Sequence, residues 1–188
     1  MVETSLNGRR VLALVTNYGV EQDELVVPVK KLKEQGADVT IAAQSSDAVQ
    51  TLVGDKDPGQ NVDPDTTIEA VDADGYDLLL LPGGTLNADT LRLDEKAVAT
   101  AKAFVASGRP IAAICHGPWL LVEADVLDGK TLTSYPSLKT DIKNAGAKAW
   151  VDEPVVRCTA SGFTLITSRT PKDLDDFVGG IGETLTAA

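Results

Sequence analysis

Short, largely apolar runs recur along this chain, and stretches of helical periodicity lie between them. Val11 to Val15 (VLALV), Asp38 to Ala43 (DVTIAA), Leu78 to Leu81 (LLLL) and Ile111 to Ile114 lack the strict alternation of a strand with one wet face. Consecutive apolar residues over so few positions read as strands covered on both faces. Between them, Gly19 to Gln35 repeats Leu25, Val29 and Leu32 at helical spacing, with Lys30, Lys31, Lys33 and Glu34 on the wet side and Gly36 as the stop. Pro28 should bend that helix or mark its first turns. Asp94 to Ser107 reads as a second helix, with Ala97, Val98, Ala101 and Phe104 or Val105 inward. Further helices are expected near Trp119 to Ala124, Ser137 to Ala145 and Lys172 to Leu185, and strands near Val155 to Thr159 and Phe163 to Thr167. Gly54 to Asp65, rich in Gly, Asp and Pro, reads as a loop or small irregular excursion.

Strands alternating with helices of this length imply βαβ units and a parallel sheet sandwiched between helical layers. The expected fold is α/β: a flavodoxin-like three-layer α/β/α sandwich with a mostly parallel central sheet, in one domain over 1–188. Ligands in such sheets sit beyond the carboxyl ends of the strands. That brings Thr16 to Glu21, Pro82 to Asp89 and Cys115 to Pro118 to one edge.

Charge and cysteine usage narrow the function. A net charge of −11 with no basic stripe argues against a nucleic-acid surface and against anionic membranes. No apolar run approaches the roughly 18 residues of a membrane span, and Met1 to Ser5 lacks the features of a signal peptide. The two cysteines, Cys115 and Cys158, form no CxxC or metal-ligand spacing, and His116 is the only histidine, so no metal is expected. Free thiols fit a reducing cytoplasm. No GxGxxG opens the first helix, so no dinucleotide or flavin cofactor is expected.

Ile111 to Trp119 (IAAICHGPW) carries most of the chemistry. A buried strand stops at Ile114, and Gly117-Pro118 starts a helix, for which proline suits the first turn. Ala113 and Gly117, two residues either side of Cys115, leave room for a tight turn with a strained central residue. This is the pattern of a nucleophile elbow with cysteine in place of serine. A thiol facing a helix N-terminus is expected to favour the thiolate. Cys158 has no activating neighbour and reads as structural. Trp119 is expected to cover the site or pack at an interface.

The run AAICHGPWLL resembles the active-site motif of the PfpI family of intracellular cysteine peptidases, relatives of the parkinsonism-associated deglycase within the class I glutamine amidotransferase-like superfamily. Glu21 to Pro28 with its flanking Gly19-Val20, LLLLPGG at 78–84, RLDEKAV at 92–98 and the block at 132–156 are similar to further family segments in the same order. The resemblance implies Cys115 as nucleophile, His116 as its histidine, and Glu21 as the buried acid that hydrogen-bonds the thiolate. It implies backbone oxyanion donors at Gly84 and in the turn after Cys115. It also implies a triad acid supplied to the histidine by a neighbouring subunit. Here Thr85 to Asp89 is one residue longer than the usual loop and carries Asp in place of Glu, which makes Asp89 the candidate.

The implied activity is that of a stress-response, cysteine-dependent hydrolase, deglycase, glyoxalase or peptidase acting on small carbonyls, their adducts or small peptides. The implied assembly is a homodimer or higher homo-oligomer. A competing expectation is a non-catalytic redox sensor or protective protein whose Cys115 is held as sulfinic acid. A glutamine amidotransferase is disfavoured, because that chemistry needs a histidine well downstream and none follows His116.

Overall fold

The computed structural model describes residues 5–187. Met1 to Thr4, most of the segment read for a signal peptide, lie outside the described residues. The chain runs β1 (Arg10–Leu14), β2 (Tyr18–Glu21), α1 (Gln22–Glu34), β3 (Asp38–Ala43), β4 (Val49–Val53), β5 (Asp57–Val62) and β6 (Thr66–Thr67). It continues through β7 (Leu78–Leu81), α2 (Thr85–Leu91), α3 (Glu95–Ala106), β8 (Ile111–Ile114), α4 (Trp119–Glu123), β9 (Thr131–Leu132) and α5 (Lys139–Asn144). It ends with β10 (Ala149–Trp150), β11 (Val155–Cys158), β12 (Leu165–Ser168) and α6 (Leu174–Ala187).

The central sheet has the order β11-β12-β8-β7-β1-β3-β6. All neighbours pair in parallel except β11, which lies antiparallel at one edge. Successive residues of a strand face opposite sides, and both sides here are apolar. Val11, Ala13, Leu78, Leu80, Ala112 and Ile114 face Leu25, Val29 and Leu32 of α1 and Phe177, Ile181 and Leu185 of α6. Leu12, Leu14, Leu79, Leu81, Ile111 and Ala113 face the layer that holds Ala101 and Phe104 of α3, Leu121 of α4 and Ile142 of α5. The result is the expected α/β/α sandwich. No helix among the described residues is long and apolar enough to cross a membrane.

The helix ends follow ordinary chemistry. Asp23 and Glu24 occupy the first turn of α1 and Lys31 and Lys33 the last, complementing the helix dipole. Asp94 caps α3, its carboxylate accepting from the amides of Lys96 and Ala97.

Three expectations need correction. The first helical stretch begins with a strand: Tyr18–Glu21 is β2, and the helix starts at Gln22. Pro28 lies mid-helix. The Gly- and Asp-rich stretch from Gly54 is not a plain loop. It contains β5, which pairs antiparallel with β4 while β4 pairs with β2, forming a small second sheet. Thr85 to Asp89 is not a loop either, but part of α2. The polar composition of both segments reflects their exposure on one side, which local propensity cannot distinguish from irregular backbone.

Candidate active site

Cys115 follows the last residue of β8 and has φ +61°, in the left-handed region. A side chain held there costs about 1–3 kcal/mol, so the surroundings must fix it. They do so on both sides: the Cys115 amide donates to Ser168 O (3.0 Å), and its carbonyl accepts from the Tyr135 amide (2.9 Å). The Gly117 amide closes the turn onto Ile114 O at 2.8 Å. A Cβ on Gly117 would lie 2.4 Å from Leu81 O, so only glycine lets the turn pass that close to β7.

The sulfur is nearly buried, with Cys115 5% exposed. Its neighbours are Nδ1 of His116 at 3.1 Å, the amide of Gly84, which donates to it, and the carboxyl of Glu24. The Gly84 amide therefore lies at the thiol. Burial, followed by the Glu24 charge, pushes the Cys115 thiol well above the usual range. Desolvation opposes the thiolate expected at a helix N-terminus, and the helix there, α4, is five residues long.

The acid beside the thiol is Glu24, and this corrects the placement of Glu21. Glu24 is fully buried, with its Oε2 accepting from the Gly83 amide at 2.8 Å and its Oε1 without a nitrogen or oxygen partner. Burial raises its pKa to about 8, against the opposing effects of its contact with the Cys115 side chain and of the Gly83 amide. Glu21 points elsewhere. Its two oxygens accept the amides of Gly54 (3.0 Å) and Asp55 (2.9 Å), holding the tip of the β4–β5 hairpin. The physical reason is local: Glu21 ends a strand in the small sheet, whereas Glu24 lies one turn on, on the face of α1 that packs inward.

His116 is also buried, and burial lowers its pKa while the charge of Asp55 opposes that shift. Its ring stacks on Tyr135 (centroids 4.6 Å apart, 23° between planes) and meets Trp119 edge-on at 5.2 Å. Nε2 lies 3.3 Å from Thr85 Oγ1 and 3.5 Å from Ser137 Oγ. Asp89 is exposed on α2 and is not among the groups at either ring nitrogen within this chain. A cavity of about 180 Å³ opens onto the sulfur, bounded by Glu21, Glu24, Asp55, Tyr135, Thr170 and Pro171. A larger groove of about 550 Å³ between α1 and β5 shares no residue with it.

A left-handed cysteine at a strand end, next to a histidine and against a buried glutamate, meets a sequence match that runs through residues 9–184 of the chain. The chain belongs to the DJ-1/PfpI family. It is 40% identical to General stress protein 18 of Bacillus subtilis over 166 residues, 88% of this chain and 92% of that protein. It is 41% identical to Deglycase PH1704 of Pyrococcus horikoshii over 165 residues, again 88% and 92%. The crystal structure of Drosophila melanogaster DJ-1beta superposes with a TM-score of 0.83 at 31% identity, covering 94% of this chain and 90% of that one.

Three residues of this DJ-1/PfpI site escape a reading by motif. Glu24 had a signal: it continues the inward stripe of Leu25, Pro28, Val29 and Leu32, where an unpaired acid is out of place. Asn87 is fully buried and braces the PGG turn, its Oδ1 accepting the Thr16 amide (2.8 Å) and its Nδ2 donating to Gly83 O (3.0 Å). Asp55 has no signal in the sequence, since it reaches the site only because the small sheet folds over the end of the large one.

Proposed function

We propose that this protein is a stress-response enzyme that uses Cys115 to attack small electrophilic carbonyls or their adducts. The observation that carries the reading is the 180 Å³ cavity ending on a sulfur with His116 Nδ1 at 3.1 Å. Drug-sized sites occupy about 300–1,000 Å³, so this one suits a few heavy atoms rather than a peptide chain. The names of the relatives, a general stress protein and a deglycase, support the same class.

In this reading the thiol proton passes to Nδ1 of His116 and the sulfur lone pair forms the S–C bond. The carbonyl π pair moves onto oxygen, beside the Gly84 amide that already points at the sulfur. A proton from Glu24 neutralises that oxygen, and the product is a hemithioacetal. Glu24 suits the role because burial keeps it protonated near neutral pH.

The proposal includes a homodimer or higher homo-oligomer in the cytoplasm. Exposed Tyr18 and Leu86, on the adjoining β2 and α2, support a partner surface beside the site, and two free cysteines fit a reducing compartment. The deciding test is turnover of methylglyoxal by the purified protein and by Cys115→Ser. Turnover that disappears in the variant supports the reading; absence of turnover with methylglyoxal and with a small peptide sinks it.

The second reading is a redox sensor. The partnerless Glu24 Oε1 favours it, since a protonated carboxyl there has an O–H available for an oxidised sulfur. Mass spectrometry after mild peroxide separates the two: a Cys115 that stays reduced while Cys158 is modified ends the sensor reading.

A further inference from the structure

His116 can accept the thiol proton only if its Nδ1 carries a lone pair, so the tautomer of this ring decides whether the site works. A neutral imidazole holds one N–H, and which nitrogen keeps it is set by the partner of the other. Tyr135 stacks on one face of the ring and Trp119 meets it edge-on, which holds its orientation.

The group that decides lies at Nε2. Asp55 accepts two hydrogen bonds from Thr85, one from its amide (2.7 Å) and one from its hydroxyl (2.8 Å). A hydroxyl has a single hydrogen, and an ionised carboxylate is an acceptor only. With that hydrogen committed to Asp55, Thr85 Oγ1 faces Nε2 at 3.3 Å with lone pairs alone. That contact favours Nε2 as the protonated nitrogen. The Ser137 hydroxyl, at 3.5 Å, rotates and can donate or accept, so it follows the tautomer without setting it.

We infer that Asp55 is a positioning residue which, through the Thr85 hydroxyl, holds His116 as the Nε2–H tautomer with its Nδ1 lone pair directed at Cys115. Asp55 is itself held in place. Its amide and that of Gly54 bind the Glu21 carboxylate, and its φ of +57° is a conformation aspartate tolerates better than most residues. The line of contacts Glu21–Asp55–Thr85–His116–Cys115 therefore stays within one chain. It supplies an orienting acid within the chain, where the resemblance implies one from a neighbouring subunit with Asp89 as the candidate. When Nδ1 takes the thiol proton, the imidazolium that forms keeps its Nε2–H on Thr85, and the Asp55 charge favours it. Only this last consequence rests on the proposed enzymatic function; the tautomer belongs to the resting protein.

A single histidine makes the test direct. A long-range ¹H–¹⁵N correlation spectrum of the labelled full chain contains one imidazole and reads its tautomer from the two ring nitrogens. The expected result is Nε2–H in the wild type and in Thr85→Ser. In Thr85→Val, which removes the hydroxyl at constant volume, the Nδ1–H form should rise several-fold. Asp55→Gly, which keeps the left-handed turn, should do the same and decides the matter if the valine variant fails to fold. The alkylation rate of Cys115 by iodoacetamide should fall in both variants, with its pH profile shifted. An Nδ1–H wild type overturns the inference, as does an unchanged tautomer in Asp55→Gly. A change in Asp89→Asn without one in Asp55→Gly also overturns it and gives the role to Asp89. Failure of methylglyoxal turnover with the expected tautomers intact counts against the enzymatic reading alone.

Discussion

The Glu24 carboxyl and the Cys115 thiol interact inside the protein, and burial pushes the pKa of both upward. The pair holds its protons to a higher pH than either group would in water. That couples the chemistry of the site to the stability of the fold.

The folded-state pKa of Glu24, about 8, lies above its ordinary value of 4.5, so the folded protein binds more protons than the unfolded chain between those limits. Stability must then fall as pH rises through that window, by an amount on the order of a few kcal/mol. The contribution is complete below about pH 4.5 and lost once pH passes the folded value. Glu24→Gln keeps the shape and removes the titration, so its stability should vary less with pH across the same range. Urea denaturation of both proteins at a series of pH values checks this; parallel curves would contradict it.

Two glycine substitutions should move stability in opposite directions. A Cβ on Gly83 would lie 2.3 Å from Glu24 Oε2 and 2.7 Å from Cys115 Cβ, so Gly83→Ala forces the site apart. A loss of about 2–4 kcal/mol is expected, of the size of other overpacking and strain effects. Gly179 lies exposed within α6, and a Cβ there would meet nothing within 4 Å. Gly179→Ala should stabilise by about 0.5–1 kcal/mol through helix propensity. Thermal melts of the two variants provide the comparison.

Asn87→Ala should cost about 2–3 kcal/mol, because it leaves the Thr16 amide and the Gly83 carbonyl without their buried partner. The substitution should also slow alkylation of Cys115, since the PGG turn presents the Gly84 amide to the sulfur. Denaturation midpoints and alkylation rates measured together test both halves.

Glu21 and Glu24 should separate cleanly under hydrogen exchange. Glu21→Ala removes the acceptor for the Gly54 and Asp55 amides, so protection there should drop while the Gly83 amide is unaffected. Glu24→Gln should leave the hairpin protected. Equal loss of hairpin protection in both variants would contradict the division of labour.

The sandwich was legible because its strands are apolar on both faces. Leu78–Leu81 and Ile111–Ile114 are short apolar runs of strand length, and the glycines that follow them mark the turns at the sheet edge. Cys115 and Gly84 were legible for the same reason, being fixed by strand ends. Glu21 and Glu24 were not told apart, because they lie three residues apart where strand gives way to helix, and a shift of one helical turn exchanges which one faces inward. Asp55 was not legible at all: its segment reads as loop, and its approach to Thr85 depends on the pairing of β4 with β2. Thr85 to Asp89 looked irregular because its polar residues hide the inward positions of Asn87 and Ala88.

The register of the sheet also determines where oxidation of this protein can end. Cys158 pairs with Leu165, and Leu165 pairs with Ile111, so Cys158 stands level with the start of β8, two strands away. Cys115 lies four residues further along, about 13 Å by strand rise and about 10 Å across the strands. A disulfide needs Cα atoms within about 7 Å, so neither cysteine can resolve the other without dismantling β8. A sulfenic acid formed at Cys115 has no internal thiol to condense with. Its fates are capture by a small thiol from solution, or further oxygenation in place.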